Sequence, residues 1–485
     1  MATLGTSSIF LSNSLLLLFL LCSLKKGYAL GGRKFTERHL LQHTHSTIQI
    51  GSLLPASVCR PTPKGNIKRA SLKVVHKHGP CSQLGQDKAN AAPTVTEILS
   101  HDQSRVNSIH SHLAFNSGKN DLKDSQATLP VKSGNSLGTG NYIVTVGLGT
   151  PEKELSLAFD TASDLTWTQC QPCVKYCYKQ EQPIFDPSQS STYSNITCDS
   201  PLCSQLISGT GNSPGCSGST CLYGIQYGDQ SFSVGYFGKE KLTLTPTDVV
   251  DDFLFGCGQN NDGLFGGTAG LLGLGRDKIS VVSQASPKYG NYFSYCLPSM
   301  SGSTGHLTFG SSGVPSNVQF TPLLTNPPDG PSFYFIDIEA ICVGGSTLPI
   351  DKSVFSTGGT IIDSGTVITR LPPDAYSAMR TVFRQQMTQY PMIEGVSILD
   401  TCYDFSNYTL VSIPKIIFFF TDSVKVDLDP SGILYGLGAS QACLAFAGNS
   451  DATDIAIFGN VQQQTLEVVY DVAGGKLGFG PGQCS

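Results

Sequence analysis

Histidine is scarce in most of this 485-residue chain, and its scarcity excludes several kinds of site. Of the nine histidines, only His306 lies after residue 131, in the loop-like sequence Ser-Gly-Ser-Thr-Gly-His. Residues 131–485 therefore cannot hold a histidine-based metal cluster, and a Ser-His-Asp or Cys-His site would have to be built on His306. We expect an ordinary structural role for His306, and neither a metal nor another cofactor.

Charge is also scarce, since only 14% of the residues are Asp, Glu, Lys or Arg, and it is unevenly distributed. Residues 30–130 carry 13 basic and 6 acidic residues, whereas residues 131–485 carry 16 basic and 30 acidic residues. Because phosphate contacts need a basic patch, nucleic acid is not expected as a partner of the acidic part. No apolar run after residue 24 is long enough to span a bilayer, so no membrane partner is expected either.

The N-terminal part has the composition of segments that are removed. A Leu-rich run at 11–24, followed by Lys25, Lys26 and the small Ala29, predicts a signal peptide over 1–29 and secretion to the apoplast. The residues before the run are Ser/Thr-rich and lack Lys and Arg, so a plastid transit peptide stays open, as does delivery to the vacuole. Residues 30–130 are basic and poor in strand patterns. We expect a pro-segment whose cations lie over the acidic part, with a helix over 94–113; the alternative is a disordered linker.

Glycine (52) and proline (27) are frequent, which favours a turn-rich, all-β fold with a few short helices. Short strand patterns separated by turns begin at Tyr142 and continue to the end of the chain. Examples are 241–245, 253–255, 333–338, 416–420 and 466–470. One longer helix is predicted over 373–390. We place an N-terminal lobe at 131–318 and a C-terminal lobe at 319–485.

Sixteen cysteines, three of them before residue 131, point to an oxidising compartment. The cluster Cys170, Cys173 and Cys177 has zinc-like spacing but no histidine nearby, so disulfides are the preferred interpretation. The thirteen cysteines after residue 131 are an odd number, which predicts one unpaired thiol. Two sequons predict glycosylation at Asn195 and Asn407.

One short pattern occurs twice. Asp160-Thr161-Ala162-Ser163 and Asp363-Ser364-Gly365-Thr366 each follow an apolar strand pattern, and each precedes, by about a hundred residues, two large apolar residues and a glycine, at 271–273 and 457–459. A repeated single carboxylate suggests one site that is shared across a pseudo-twofold axis. We expect Asp160 and Asp363 to face each other there.

Two facing carboxylates can hydrolyse a peptide bond. Like charges at close range cannot both ionise cheaply, so the pair shares a proton, and aspartic proteases are the established example. The ionised member takes a proton from water and the protonated member hydrogen-bonds the carbonyl oxygen. The pair titrates as a unit, so we assign no fixed roles. Ser163 and Thr366 can hold the carboxylates from outside, and Thr161 and Ser364 can tie the two loops together.

These motifs resemble those of the pepsin-like aspartic proteases, and specifically of their plant nepenthesin-like branch, over about 137–485. The resemblance also rests on Asp-Leu-Thr-Trp167, on Tyr227-Gly228-Asp229-x-Ser231 and on Ile-Phe-Gly-Asn460. It implies two pseudo-twofold-related β lobes with a cleft between them, and a hairpin flap that carries Tyr227, Gly228 and Asp229 over the substrate. Trp167 is expected to pack near the flap. Cys342 is the cysteine that does not fit the branch's pattern.

The resemblance implies an aspartic endopeptidase, and together with the predicted signal peptide and pro-segment we expect a monomeric, secreted enzyme that is made as a zymogen and acts on polypeptides at acidic pH. The departure is Ala162, where the family usually has glycine; if the position needs a positive φ or close approach of substrate, the methyl group lowers activity. One alternative is a weak or inactive relative that acts as an inhibitor, since a fold does not fix a function. Another is a plastid protease that binds DNA through basic residues at 60–77.

Overall fold

The computed structural model describes residues 44–53, 57–61, 70–84, 93–116, 142–227, 231–263, 265–299, 302–312, 314–324, 332–482 and 484. The predicted signal peptide at 1–29 lies outside these residues, as do Gly228 and Asp229 of the predicted flap. Most of the described secondary structure is β-strand, and most helices are a single turn long, as the turn-rich composition predicts. The all-β, two-lobed fold class is confirmed.

One large sheet joins fifteen of the described strands and includes strands from both halves of the chain. Near one end, Leu466–Asp471 from the C-terminal lobe pairs with Tyr292–Cys296 from the N-terminal lobe, and this pairing links the two lobes. In order across the sheet, the strands are Gln319–Pro322, Lys476–Pro481, Leu466–Asp471, Tyr292–Cys296, Gly305–Phe309, Ser71–His76, Tyr142–Leu148, Lys153–Asp160, Gly270–Gly273, Trp167–Gln169, Asp248–Asp262, Phe232–Thr245, Thr220–Gln226 and Gly215–Ser217, with Ser194–Asn195 beside Phe232–Thr245.

The second half of the chain forms smaller sheets. A five-stranded sheet has the order Phe335–Ile336, Thr360–Ile362, Ala456–Phe458, Thr369–Leu371 and Phe446–Gly448. The first of two four-stranded sheets contains Ser346–Thr347, Ile338–Val343, Ile416–Phe420 and Val424–Asp427, and the other contains Met392–Ile393, Cys402–Asp404, Gln441–Leu444 and Leu434–Gly436. His45–Gln49 pairs with Leu410–Pro414.

Two described helices are longer than two turns, Val95–Asn116 and Pro373–Gln386. The second starts at Pro373, as predicted, but ends four residues before the predicted end at residue 390, and it buries Tyr376, Met379 and Phe383 on one face. The short α-helices are Pro201–Ser204, Leu206–Thr210, Val281–Gln284, Ser286–Tyr289, Ser353–Ser356 and Asn460–Gln463. The 3₁₀ turns are Ile50–Leu53, Pro187–Gln189, Thr421–Ser423 and Pro430–Gly432.

The described parts of residues 30–130 are folded against the rest of the chain. Ser71–His76 lies inside the large sheet, between Gly305–Phe309 and Tyr142–Leu148. The segment thus contributes a strand to the large sheet although its sequence is poor in strand patterns. The pattern is too short to stand out in the sequence, and the strand gains its hydrogen bonds only from these two neighbours.

The cysteine cluster forms disulfides, as predicted, rather than a zinc site. Among the cysteines after residue 131, twelve form six bonds: Cys170–Cys257, Cys173–Cys177, Cys198–Cys216, Cys203–Cys221, Cys296–Cys484 and Cys402–Cys443. Cys342, the thirteenth, is disulfide-bonded as well, so the prediction of an unpaired thiol is wrong. The thirteen cysteines after residue 131 are an odd number, but the whole chain has sixteen, so every cysteine can have a partner.

Candidate active site

The first aspartate motif begins where a central strand of the large sheet ends. Lys153–Asp160 is buried over its last six residues and pairs in parallel with Gly270–Gly273, so that Asp160 lies opposite Gly273. The apolar pair before that glycine fills the core beneath the motif, since Leu272 is fully buried. The carboxylate is thus fixed at the carboxyl edge of two parallel strands, in a position set by packing.

The second motif repeats this arrangement in the five-stranded sheet. Thr360–Ile362 is fully buried and pairs in parallel with Ala456–Phe458, and Asp363 follows directly. The backbone N–H of Asp363 donates to the Phe458 carbonyl oxygen at 3.1 Å. Each aspartate therefore sits at the end of a strand whose neighbour is the apolar-apolar-glycine segment, which is why the two sequence patterns recur together.

A hydroxyl group holds each carboxylate. Ser163 Oγ donates to Asp160 Oδ2 at 2.6 Å, and Thr366 Oγ1 donates to Asp363 Oδ2 at 2.5 Å. Both aspartates are almost completely buried, with 2% and 0% of their surface exposed. Charge-assisted bonds of this length fix the carboxylate planes and favour the ionised form.

Two further hydrogen bonds connect the motifs to each other. Ser364 donates its backbone N–H to Thr161 Oγ1 at 2.9 Å, and Thr161 donates its backbone N–H to Ser364 Oγ at 3.2 Å. The two bonds are reciprocal across the pseudo-twofold axis. They hold the two loops together, which is the arrangement that the paired hydroxyl residues predict.

Both carboxylates face one cation, the guanidinium group of Arg105. Its Nη2 donates to Asp160 Oδ1 at 2.7 Å and to Asp363 Oδ2 at 2.9 Å. Nη1 adds a bond to Asp160 Oδ2 at 3.1 Å, and Nε adds one to Asp363 Oδ2 at 3.0 Å. Because a single nitrogen atom contacts both carboxylates, the two aspartates converge on one point, as the sequence predicts.

The pKa values of the two aspartates move in opposite directions. Burial raises the pKa of each carboxyl group, and the Arg105 charge opposes it. For Asp160, hydrogen bonds from Arg105, Ser163 and the Ala162 N–H add to the charge of Arg105, and the net pKa lies below the ordinary value. For Asp363, the negative charge of Asp160 adds to burial, and the net pKa is raised. The pair titrates as a unit, so this split describes the pair beside Arg105 and assigns no catalytic roles.

Arg105 belongs to the helix Val95–Asn116, which we call the cleft helix. Thr94 caps it: the Glu97 N–H donates to Thr94 Oγ1 at 3.2 Å, and the Thr94 N–H donates back to Glu97 Oε2 at 2.8 Å. The helix predicted over 94–113 is thus present, but it continues three residues beyond the predicted end, to Asn116. Val106 and Ile109 lie on the side of the helix that is buried against the five-stranded sheet. Arg105 precedes Val106 directly, so docking of this side of the helix brings Arg105 to the two aspartates.

Ala162 and Gly365 occupy equivalent positions in the two motifs, but their surroundings differ. Neither residue has a positive φ, so backbone strain is no reason for glycine at either position. A Cβ atom at Gly365 would lie 2.7 Å from Asp160 Oδ1 and against the Arg105 guanidinium. Ala162 packs its methyl group against the apolar cluster that includes Val106. Close approach therefore demands glycine in the second motif, whereas the first motif has room for a methyl group.

Tyr227, the one predicted flap residue that the structure describes, directly follows the first strand of a hairpin. Thr220–Gln226 pairs with Phe232–Thr245, and the backbone N–H of Tyr227 donates to the Ser231 carbonyl oxygen at 2.8 Å. Trp167, which is fully buried, donates its Nε1–H to Tyr227 Oη at 2.9 Å. Trp167 is thus the packing residue near the hairpin that the sequence predicts.

A third carboxyl group lies close to the first motif. Burial raises the pKa of Asp164 to about 7, against hydrogen bonds from Ser332 and from the Asp277 backbone N–H, the latter at 2.8 Å. The charge of Asp160 raises this pKa further. Asp164 links the first motif to the segment that follows Gly270–Gly273.

Other predicted residues lie elsewhere. Asn195 and Asn407 are exposed, as glycosylation requires. His306 is in the strand Gly305–Phe309 and pairs with Glu467 at 3.0 Å, so its placement in a loop is wrong although its structural role is not. Of the basic residues at 60–77, Lys77 is buried, which removes it from any surface patch.

The described part of the chain has no cluster of His, Cys, Asp and Glu that could hold a metal ion, and no helix in it is long and apolar enough to cross a membrane.

Three residues at the site were not singled out from the sequence: Arg105, Asp102 and Arg370. Asp102 is the one of the three that the sequence could have revealed. It lies on one helical stripe with three apolar residues, Leu99, Val106 and Ile109. A carboxylate inside an apolar stripe needs a buried partner. That partner, Arg370, follows the second motif by four residues.

Comparison with known proteins identifies the family. A family model described as the xylanase inhibitor N-terminal domain matches residues 142–311, and the xylanase inhibitor C-terminal domain matches residues 333–481. The solved structures of EDGP and of soybean basic 7S globulin superpose with TM-scores of 0.57 and 0.56, at 22% and 23% identity. They cover 70% and 72% of this chain and 91% and 92% of their own, and they share the fold.

Sequence relatives cover nearly the whole chain. An aspartyl protease family protein of Arabidopsis thaliana is 58% identical over 452 residues, which are 93% of this chain and 94% of the relative. Aspartyl protease AED1 of the same plant is 51% identical and covers 97% and 99%. Aspartic proteinase nepenthesin-2 of Nepenthes gracilis is 38% identical and covers 80% and 86%. Together with the paired aspartate motifs, these matches show that the chain belongs to the plant nepenthesin-like branch of the pepsin-like aspartic proteases.

Proposed function

We propose that the chain is the zymogen of a secreted aspartic endopeptidase, which hydrolyses polypeptides at acidic pH through Asp160 and Asp363. The observation that carries this proposal is the Arg105 guanidinium, which is held by both carboxylates at once. It stands where the attacking water and the substrate carbonyl would have to lie. The cleft helix is then the inhibitory part of a pro-segment over 30–130.

The mechanism begins when the cleft helix leaves. Without the Arg105 charge, the two buried carboxylates share one proton, since two adjacent charges of like sign cannot both persist there. The ionised carboxylate takes a proton from water, which attacks the peptide carbonyl carbon, while the protonated carboxyl donates to the carbonyl oxygen. Ser163 and Thr366 keep the carboxylates oriented through these steps. Tyr227 closes the cleft from the hairpin.

Acid would release the helix through several groups at once. Protonation of Asp160 and Asp363 removes the negative charge that holds Arg105. A buried histidine of the pro-segment acts in the same direction: burial lowers the pKa of His76 to about 4, with the Lys77 charge adding to the shift. His76 is therefore neutral in the folded pro-segment, and protonation at lower pH favours its release.

Secretion is supported by the disulfides of the described residues, which form in oxidising compartments. The exposed sequons Asn195 and Asn407 agree with passage through the secretory pathway. Polypeptide substrates and the chain's own pro-segment are the proposed partners, and a monomer is the proposed state.

A second candidate is an inhibitor without protease activity. The matching family models are described as xylanase inhibitor domains, and Ala162 departs from the usual glycine. The intact dyad favours the enzyme, because an inhibitor has no need for two carboxylates held by Ser163 and Thr366 or for a cation that covers them.

The test uses the full chain. We expect acidification to yield a shorter form whose N-terminus lies after the cleft helix, and this form to cleave a denatured protein in a pepstatin-sensitive reaction. Asp363→Asn should abolish cleavage, whereas Asp252→Asn, at a 74% exposed surface ion pair, should not. Cleavage that resists pepstatin or survives Asp363→Asn would refute the dyad mechanism. A processed form that binds a xylanase tightly and cleaves nothing would establish the inhibitor instead.

A further inference from the structure

A second ion pair of the cleft helix lies one turn before Arg105. The side chain of Asp102 is completely buried and accepts hydrogen bonds from the backbone N–H groups of Val367, at 2.6 Å, and Ile368, at 3.1 Å. Its Oδ2 also pairs with Arg370 Nη2 at 3.0 Å. One carboxylate thus takes three donors, and all three belong to the segment that directly follows the second aspartate motif.

These three donors stay behind when the helix leaves. Val367 and Ile368 follow Thr366 in the loop, and Arg370 lies in the strand Thr369–Leu371 of the five-stranded sheet. All three residues are buried, Arg370 to 1% exposure. The surrounding strands, rather than the helix, therefore fix the geometry of the donors.

Arg370 has few contacts apart from the cleft helix. Nη1 donates to the Ile368 carbonyl oxygen at 2.7 Å, whereas the polar partners of Nη2 among the described residues are both on the helix: Asp102 and, at 3.3 Å, Gln103 Oε1. Nε finds no hydrogen-bond acceptor among the described residues. Release of the helix consequently removes the only carboxylate that pairs with this guanidinium in the described structure. A buried cation without a counter-charge strongly attracts an anion.

We propose that these three donors, the N–H groups of Val367 and Ile368 and the guanidinium of Arg370, form a subsite of the mature enzyme that takes the carboxylate of a substrate Asp or Glu side chain. The inference rests on the proposed function, because it requires a cleft that the helix has left. Asp102 then occupies the subsite in the zymogen as a substrate carboxylate does in the mature enzyme, just as Arg105 occupies the catalytic position.

The distance along the helix places this subsite near the scissile bond. Asp102 and Arg105 are three residues apart, a rise of about 4.5 Å along a helix axis. An extended peptide advances about 3.3 Å per residue. The acidic residue would therefore lie within a few residues of the bond that is cleaved. Leu99 of the helix belongs to the same buried apolar cluster as Val367, Ile368 and Tyr435, so apolar side chains surround the subsite.

The test compares paired fluorogenic peptides with the acid-processed protein. Asp or Glu is exchanged for Asn or Gln at each position on either side of the scissile bond, at about pH 5, where substrate carboxyls are ionised. We expect one position at which the acidic peptide has a kcat/KM about tenfold higher, because a hydrogen-bonded charge pair typically supplies that much. This preference should shrink when the pH falls below about 4 and the carboxyl takes up a proton.

Variants identify the residue responsible. In Arg370→Gln, the ratio of acidic to amide kcat/KM at that position should fall to about one, and Arg370→Lys should retain part of the preference. Asp102→Asn is the matched control, because it alters only the segment that is removed: the processed form must show the full preference. A processed enzyme with no acidic preference, or with one that Arg370→Gln leaves intact, would overturn the subsite. Failure to cleave any peptide would instead overturn the proposed function.

Discussion

Replacing Arg105 by methionine tests directly whether the cleft helix suppresses the dyad. Methionine keeps the length and the helix propensity of the side chain but removes the guanidinium that bonds Asp160 and Asp363. We expect the full-length variant to be open far more often than the wild-type chain and to cleave peptides before it is processed.

The size of the effect follows from burial. Arg105 is 13% exposed and its two partners 2% and 0%, so this ion pair is shielded from water. Breaking a buried pair from one side costs about 3–5 kcal/mol. The two carboxylates can relieve part of this cost by sharing a proton, which points to the lower end of the range. About 3 kcal/mol corresponds to a rise of roughly 100-fold in the open population.

The assay is the initial rate of cleavage of a quenched peptide by freshly purified full-length chain, before a processed form is visible on a gel. Urea unfolding of the same samples separates opening of the helix from general instability. Arg380→Met is the matched control, because Arg380 pairs with Asp400 at a site where both side chains are more than one-third exposed. An exposed pair of this kind contributes about 0–1 kcal/mol.

Two results would refute the reasoning. The first is an Arg105→Met chain that folds normally but cleaves peptide no faster than wild type, since inhibition by the helix would then not depend on the ion pair. The second is a gain in activity that Arg380→Met matches, since the effect would then come from general loosening. A gain in Arg105→Met that disappears on adding Asp363→Asn would tie the activity to the dyad.

Two further predictions concern the same zymogen. Gly365→Ala should greatly reduce the activity of the processed form and weaken the binding of Arg105 in the zymogen, because the added methyl group would lie 2.7 Å from Asp160 Oδ1. Ala162→Gly should leave cleavage largely intact, because the first motif has room at this position. Equal losses of activity in peptide assays of the two variants would contradict this reasoning. Burial holds His76 neutral, with a pKa of about 4 against the ordinary 6.5, and its Nδ1 accepts a hydrogen bond from the His78 backbone N–H. The neutral His76 therefore stabilises the folded pro-segment by about 3 kcal/mol above pH 6.5, and this stabilisation is lost as the pH falls towards 4. His76→Phe should therefore move the midpoint of acid processing, followed by gel, to lower pH; an unchanged midpoint would assign the pH response to the carboxylates.

The dyad and its supports could be predicted because each depends on short-range order. A buried strand, a carboxylate, two hydroxyl residues and a later apolar pair with glycine recur in the sequence, and each copy packs in the same way on its own parallel neighbour. Local pattern likewise predicted that a helix begins at about residue 94, where Thr94 and Glu97 form a capping box.

The partners of Arg105 and Asp102 could not be predicted, because each of these residues lies far from its partners in the chain. Arg105 and Asp160 are 55 residues apart, and Asp102 and Val367 are 265 apart, so no local pattern links them. The strand Ser71–His76 was not predicted for the same reason, since its hydrogen bonds come from strands that are distant in sequence.

The sequence by itself determined that two equivalent carboxylates exist, that hydroxyl residues accompany them, and that a basic, helical segment precedes an acidic one. Only the tertiary structure decided which cation of that segment reaches the dyad and which carboxylate neutralises Arg370. The physical reason is that composition sets the sign of the attraction between two segments, whereas burial and register decide which individual charges meet.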